Sequence, residues 1–284
     1  MEKYAALIID LKRSRSYSIK DRTSIQNYII NVIRELNYVF MDAVACEVEF
    51  SAGDEVQGLF SSAEAAFLYF RLFNMLIAPV GIRAGIGVGE WSIKVENAST
   101  TAQDGSAYHN ARYALKEVRD YLGHTVLLYS GNENDIYINA LINIPFILTN
   151  NYSEYKNELM LLAELLYPIN SHEVINPEKF KLLFRLISFR NELNYYISFK
   201  KMNSVKQYPF DAINHIRLES LPIDAIHDKS SFYVISGRKS GLSMQLSDIL
   251  GISRQSIEKA FKAANLYAAR NSAVTALKLI NKYL

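Results

Sequence analysis

The sequence contains little cysteine and no long apolar run. The first feature argues against a disulfide-stabilised protein, and the second argues against a membrane-spanning one. Its single cysteine, Cys46, excludes an internal disulfide framework, and a cysteine within an apolar, strand-like segment is typical of a small buried residue. No apolar run reaches the length of a membrane-spanning helix, and the N-terminal run covers only six residues, too few for a signal peptide. We therefore expect a soluble, cytoplasmic protein without a membrane partner.

Charge is unevenly distributed along the chain. The 284 residues carry a net charge of +2, but residues 229–284 contain nine Lys and Arg side chains against two acids, a net charge of +7. The residues before this segment therefore carry −5. A basic C-terminal segment behind a mildly acidic body indicates two separate functions and makes the segment a candidate for binding a polyanion.

Hydrophobic periodicity over residues 1–130 predicts the element order β-α-β-β-α-β-α-β. Strand patterns cover residues 4–10, 44–50, 56–60, 82–88 and 126–129. Helical spacing covers residues 24–41 and 107–121, and a further helix starts near a capping box at residues 61–64 and ends before Pro79. This order predicts a ferredoxin-like palm with an added α-β unit, in which we expect the first three strands to be neighbours.

The chain is long enough for two or three domains, and its composition changes along its length. We assign residues 1–130 to the palm, residues 131–225 to a helical connector without a chemical motif, and residues 226–284 to a helix-turn-helix domain. The predicted fold class is therefore α+β.

The last part of the chain has a helix-turn-helix pattern at residues 246–257. Gly251 permits the sharp turn, and Ser253 supplies the N-cap of the second helix. A helical hairpin that only mediates dimerisation would have the same pattern. If the segment binds DNA, the exposed face of the second helix would carry the contacts, namely Arg254, Gln255, Lys259 and Lys262.

Acidic residues occur where the predicted topology brings strand ends together. Asp10 ends the first strand, while Asp54 and Glu55 lie on the turn between the second and third strands. Adjacent carboxylates are unfavourable unless a cation neutralises them, and Mg²⁺ prefers carboxylate oxygens, keeps several waters and bridges phosphates. We therefore predict that Asp10 and Asp54 bind Mg²⁺ or Mn²⁺, with Glu55 as a third ligand. Taken singly, each acid would more simply cap its turn or end its strand.

Groups that suit an anion lie on the fourth strand and the helix after it. Gly85, Gly87 and Gly89 would let another backbone or a ligand approach that strand closely. They are not a dinucleotide fingerprint, because they lie along a strand and do not open a helix. The following helix bears His109 and Arg112, and a helix N-terminus with an arginine inside it suits a phosphate. A pair between Arg112 and an acid on the sheet is an equally good interpretation.

Four segments, taken in order, resemble the bacterial SatD family: residues 8–15, 53–59, 82–90 and 104–112. With the helix-turn-helix, the resemblance covers about residues 1–130 and 235–284 and leaves the middle unmatched. The N-terminal half of that family in turn resembles the palm domain of class III nucleotidyl cyclases and GGDEF enzymes. This wider resemblance implies Mg²⁺-dependent attack of a ribose 3′-hydroxyl on the α-phosphate of a nucleoside triphosphate, at a site built by a homodimer.

The resemblance also implies roles for individual residues. Asp10 and Asp54 would hold the metal with help from the Leu11 carbonyl, and Arg112 would be the transition-state arginine, so that Asp10, Asp54 and Arg112 form the catalytic set. The further residues expected to contact the nucleotide are Leu11, Arg13, Ser14, Glu55, Arg83 and His109.

Two positions depart from the cyclase pattern. Tyr108 stands where cyclases carry an asparagine, and Arg13 stands where a phosphate-cradling glycine is expected. Both departures weaken the case for efficient cyclisation, although neither removes the two aspartates. Three interpretations stay open: a cyclase-like or nucleotidyltransferase-like enzyme, a transcription regulator that senses a nucleotide without turnover, and a scaffold that only mediates assembly.

Overall fold

The computed structural model describes residues 2–120, 123–150, 152–170, 174–193, 196, 219, 221–222, 234 and 237–284. Its main sheet contains β1 (Tyr4–Leu11), β2 (Val44–Ala52), β3 (Glu55–Phe60), β4 (Ile82–Gly89) and β5 (Val126–Tyr129). The spatial order is β2-β3-β1-β4-β5, and only β5 runs parallel to its neighbour. The predicted α+β class and the predicted order of elements along the chain are confirmed.

The first three strands are neighbours in the sheet, as expected, with β3 in the middle. β1 pairs with β3 on one side and with β4 on the other, whereas β2 is an edge strand that pairs with β3. The helix after β1 carries the chain past the neighbouring position to the edge, and the tight hairpin then returns β3 to the side of β1. The end of β1 and the hairpin tip still meet, because β3 begins at that tip.

Helices cover both faces of the sheet. The alternation of β1 sends Ala5, Leu7 and Ile9 toward α1 (Ile19–Val39) and α2 (Ala63–Ile77). On the opposite face, Ala6 and Ile8 pack with α3 (Ser106–Asp120) in a smaller apolar cluster. The two N-terminal helices have serine N-caps, which accept hydrogen bonds from the backbone N–H of Asp21 at 3.1 Å and of Ala65 at 3.2 Å.

The glycines of β4 allow α3 to lie directly on the strand. A Cβ atom at Gly87 would lie 2.0 Å from the backbone nitrogen of Ala111, and one at Gly85 would lie 2.2 Å from the Ala111 carbonyl oxygen. No side chain fits in this space. The glycines in the sequence are compatible with either a backbone or a ligand close to β4. In the structure, the backbone of α3 packs there.

The rest of the described chain is mainly helical. Its elements are α4 (Asp135–Thr149), α5 (Glu154–Leu166), β6 (Ile169–Asn170), α6 (Lys181–Glu192), β7 (Leu221–Pro222), α7 (Leu242–Leu250), α8 (Arg254–Ala263) and α9 (Leu266–Tyr283). α9 packs on α4 and α2, and one hydrophobic core extends from Ala5 to Ile280. The boundary predicted between residues 225 and 226 lies outside the described residues, and the division into three domains stays a prediction.

A buried ion cluster joins three distant parts of the chain. Arg71 of α2 donates to both carboxylate oxygens of Glu164 on α5, at 2.5 and 2.8 Å, and Arg270 of α9 donates to the same carboxylate. All three side chains are at most 1% exposed. Burial alone would raise the pKa of Glu164, but Arg270 and Arg71 outweigh burial and lower it to about 2. No sequence pattern predicts this cluster.

None of the helices in the described ranges is long and apolar enough to cross a membrane.

Candidate functional site

The predicted acidic residues meet at the end of β1. Asp10 lies directly opposite Glu55 of β3 and, on its other side, directly opposite Arg83 of β4. Residues paired in this way point to the same face of a sheet, so the three side chains form one row. Because Asp10 follows Ala6 and Ile8 at alternate positions, this row lies on the face that α3 covers.

Asp54 lies on the hairpin turn beside the end of β1, outside this row of paired side chains. Gly53 has a φ of +58°, which turns the chain sharply before Asp54, and the Asp54 carbonyl accepts a hydrogen bond from the Leu11 backbone N–H at 3.2 Å. The hydroxyl of Ser14, in the loop after β1, donates to the Asp54 carboxylate. The structure therefore brings Asp10, Asp54, Glu55 and Ser14 to one edge of the sheet.

Arginines neutralise the two carboxylates that lie in strands. Arg83 Nε lies 2.6 Å from Asp10 Oδ2, and Arg112 Nη1 lies 2.6 and 2.8 Å from the two oxygens of Glu55. A third arginine, Arg119 on the last turn of α3, approaches Asp10 Oδ1 at 3.3 Å and Glu55 Oε2 at 3.8 Å. The acids are nearly buried, with side chains 9% and 11% exposed, while the arginines are partly open to solvent.

Arg112 pairs with an acid on the sheet, which is one of the two interpretations of this residue from the sequence. It also donates to Gln57 Oε1 at 3.3 Å. Its side chain is 56% exposed, so the guanidinium lies at the mouth of the site. A role of Arg112 toward a phosphate stays a prediction.

Arg119 was not predicted as a site residue, although its spacing from Arg112 in the sequence indicates that it shares the same side of the helix. Arg119 follows Arg112 by seven residues, two helical turns, so both side chains project from the same side of α3. The sequence does not show how far along the sheet α3 extends, and that distance decides whether its last turn reaches Asp10.

The structure does not bring His109 to this edge. α3 begins beside Gly89, at the end of β4 that pairs with Tyr4, about 20 Å along β1 from Asp10. The exposed His109 ring lies 3.3 Å from Asp104, within the loop before the helix. The N-terminus of α3 therefore lies away from Asp10, and contact of His109 with a nucleotide stays a prediction.

A cleft of about 230 Å³ opens beside Asp54, between the loop after β1, the start of α1 and the hairpin. Its walls include the rings of Tyr17 and Phe50 and the cationic side chains of Arg15 and Arg22. Arg13, in the same loop, is exposed and has a left-handed backbone with a φ of 55°. Aromatic faces, cations and a carboxylate thus surround one cleft.

The oxygen donors at this edge suit Mg²⁺, although they are not gathered into a finished site. Over the ranges that the structure describes, no three Asp, Glu, His or Cys side chains form a metal-binding group. Asp10 and Glu55 are turned toward arginines, and Asp54 is turned toward Ser14. Mg²⁺ needs only one or two protein carboxylates when waters and phosphates complete its shell, so Asp10 and Asp54 fit the ion chemically.

The C-terminal segment has a glycine turn and a serine N-cap at the positions that the sequence indicates, and the helix-turn-helix module stays a prediction. Gly251 adopts a φ of +63° between α7 and α8, and the Ser253 hydroxyl accepts a hydrogen bond from the Ser256 backbone N–H at 3.3 Å. Ile257 and Phe261 are buried against neighbouring helices. The opposite face of α8 is exposed and carries Arg254, Gln255, Lys259 and Lys262. Contact of these residues with DNA stays a prediction.

Two solved structures, each titled as a bacterial light-regulated adenylyl cyclase, resemble part of the chain. Both are 12% identical to it and cover 44% of it, over 74% and 42% of their own chains, with TM-scores of 0.33 and 0.30. Similarity this weak carries no argument about fold or function. A search of curated proteins found no match.

A family model gives the clearest comparison. The model described as SatD family matches residues 4–182. The match extends into the middle segment that the sequence resemblance left out, and it does not reach the helix-turn-helix segment. Because it covers more than half of the sequence, the chain belongs to the SatD family.

Proposed function

We propose that the edge formed by Asp10, Asp54 and Glu55 binds a nucleoside triphosphate together with Mg²⁺ or Mn²⁺, in a palm like that of nucleotidyl cyclases and as a homodimer. One observation carries the proposal. Nearly buried carboxylates lie against partly exposed arginines on the α3 side of this edge, and a cleft with aromatic and cationic walls opens beside Asp54 on the α1 side. Carboxylates suit the metal, arginines suit phosphates, and aromatic rings suit a base.

Each residue has a separate role in this proposal. Asp10 and Asp54 would hold the metal, with the Leu11 carbonyl beside them, and the bound ion would supply charge neutralisation and polarisation of a phosphoryl group. Arg83 and Arg112 bind phosphate oxygens, and the exposed Arg13 binds the outer phosphates from the loop. Ser14 orients the Asp54 carboxylate through its hydrogen bond, and Glu55 orients Arg112.

Tyr108 favours binding without efficient turnover, which is the second candidate function. The ring is 6% exposed, and its hydroxyl lies 3.2 Å from the Thr100 hydroxyl, inside the contact between α3 and the sheet. Burial raises the pKa of Tyr108, and the hydroxyl contact with Thr100 makes the side chain part of the core. It therefore does not replace the asparagine that cyclases place in their site. A nucleotide-sensing transcription regulator is the function that this observation supports.

Pyrophosphate release distinguishes the two functions. The protein is incubated with each nucleoside triphosphate and Mg²⁺ or Mn²⁺, and Asp54→Asn is compared with the wild type. Release that disappears in Asp54→Asn supports the enzyme, because the variant keeps the side-chain size and removes the charge that holds the metal. Glu96→Gln, at an exposed position in the loop after β4, is the matched control and should behave as the wild type.

If no pyrophosphate is released, a thermal-shift assay tests whether the protein still binds the nucleotide. If a nucleotide raises the melting temperature only when metal is present, and no pyrophosphate appears, the sensor is supported. If the protein shows neither response with any nucleotide, the proposed function is wrong.

We further propose that α8 binds DNA through its exposed face. Its cations project from a capped helix that follows a short turn, the geometry of a recognition helix. Each phosphate contact contributes about −0.9 to the slope of log affinity against log salt concentration. We expect the double variant Lys259→Ala/Lys262→Ala to make that slope shallower by about 2 in fluorescence anisotropy with a duplex.

Lys282→Ala removes an exposed cation from α9 and serves as the control, which should leave the slope unchanged. An affinity for duplex DNA that does not fall with salt would contradict binding through α8.

A further inference from the structure

We infer that Arg119 determines the specificity of the acidic edge: it makes the site accept a divalent metal that arrives on a polyphosphate and reject the free metal. The inference rests on the proposed function, since it concerns the same carboxylates. It assigns a task to a residue that the sequence analysis did not connect with the site.

Arg119 differs from the other two arginines because two acids share it. Its Nη2 lies 3.3 Å from Asp10 Oδ1 and 3.8 Å from Glu55 Oε2. Among the acids that the structure describes, Arg83 contacts only Asp10 and Arg112 contacts only Glu55. With Arg83 on Asp10 Oδ2, both oxygens of Asp10 have a guanidinium partner. A metal that binds Asp10 therefore competes with these guanidinium groups for the carboxylate oxygens.

Arg119 is the partner that can leave with least disturbance. It lies on the last turn of α3, and its side chain is 42% exposed, against 28% for Arg83. Leu115 and Val118 of the same helix are buried and hold α3 against the protein without it. Moving the Arg119 side chain outward thus breaks its ion pairs with Asp10 and Glu55 but leaves the hydrophobic contacts of α3 intact.

The charge of the incoming ligand decides whether this displacement is favourable. A free dication that takes Asp10 leaves the displaced guanidinium beside two new positive charges, and like charges at short range repel strongly in a partly buried site. A polyphosphate that carries the metal brings several negative charges, and the displaced guanidinium can bind phosphate oxygens in a bidentate manner. Arg119 therefore opposes the free metal and favours the metal–polyphosphate complex.

The test measures two affinities that should change in opposite directions in Arg119→Ala. Mn²⁺ alone is titrated by electron paramagnetic resonance, and a nucleoside triphosphate with saturating Mg²⁺ is titrated by calorimetry. We expect Mn²⁺ alone to bind about tenfold more tightly and the nucleotide to bind about tenfold more weakly, the lower range for a lost charge-assisted hydrogen bond. A variant that only loosened the structure would weaken both.

Two further variants act as controls. Lys116→Ala removes an exposed cation one turn earlier on α3 and should change neither affinity. Arg119→Lys keeps the charge and loses the bidentate geometry, so it should keep Mn²⁺ binding weak while nucleotide affinity recovers only in part.

The outcomes separate the inference from the proposed function. If the wild type binds no nucleotide with metal, the proposed function fails and the inference fails with it. If the wild type binds the nucleotide but Arg119→Ala changes neither affinity, or lowers both together, the inference alone is overturned.

Discussion

Replacing Glu164 with glutamine is expected to lower the free energy of unfolding by about 3–5 kcal/mol, the range for breaking a buried ion pair by removing one partner. The substitution keeps the shape of the side chain but leaves Arg71 and Arg270 as two adjacent cations that are fully buried. Urea denaturation followed by circular dichroism measures the loss.

An exposed glutamate provides the matched control for this experiment. Glu117 lies on the solvent side of α3, and Glu117→Gln should stay within about 0.5 kcal/mol of the wild type. A Glu164→Gln protein as stable as Glu117→Gln would show that the cluster contributes nothing to the fold.

The same cluster predicts how stability depends on pH. The pKa of Glu164 is about 2 in the folded protein, below its ordinary value of 4.5, so the folded state holds the proton less tightly than the unfolded state. Its contribution to stability is therefore complete above about pH 4.5 and is lost as the pH falls toward about 2. Between these values, the stability of the wild type should fall more steeply than that of Glu164→Gln.

Replacing Gly87 with alanine should destabilise the protein by about 3 kcal/mol or more, at or beyond the upper end for overpacking a core. The new Cβ would lie 2.0 Å from the Ala111 nitrogen and 2.2 Å from the Ala107 carbonyl oxygen. Both atoms belong to the backbone of α3, so the helix itself has to move. Because Arg112 and Arg119 lie on α3, nucleotide binding should weaken as well.

A glycine at the start of β4 gives the control. A Cβ at Gly81 would meet only the Lys12 side chain, at an ordinary distance of 3.6 Å, so Gly81→Ala should stay within about 0.5 kcal/mol of the wild type. If Gly87→Ala melts at the wild-type temperature, α3 does not depend on that close approach.

Local patterns predicted the parts of the structure that local physics determines. The strand and helix order follows from hydrophobic periodicity, and the meeting of Asp10 with the hairpin follows from chain connectivity. The glycines of β4 predicted a close approach by a backbone or a ligand, and the structure was needed to show that it is the backbone of α3.

Contacts that depend on the direction of a helix, and on how far it extends along the sheet, could not be predicted from local sequence patterns. α3 runs so that its N-terminus lies far from Asp10, which places His109 away from Asp10 and brings Arg119 close to it. Arg71 and Arg270 meet Glu164 across 93 and 106 residues of sequence. An isolated charge in a helix has no pattern that identifies its partner, so these pairs needed the structure.

The most direct test of the account is a calorimetric titration of the wild-type protein with nucleoside triphosphates, with Mg²⁺ present and with Mg²⁺ removed by a chelator. A metal–nucleotide site at the acidic edge predicts saturable nucleotide binding that requires the metal and disappears in Asp54→Asn. Glu96→Gln should bind the nucleotide as the wild type does. Binding of equal strength without metal, or in Asp54→Asn, would contradict a metal–nucleotide site at the acidic edge.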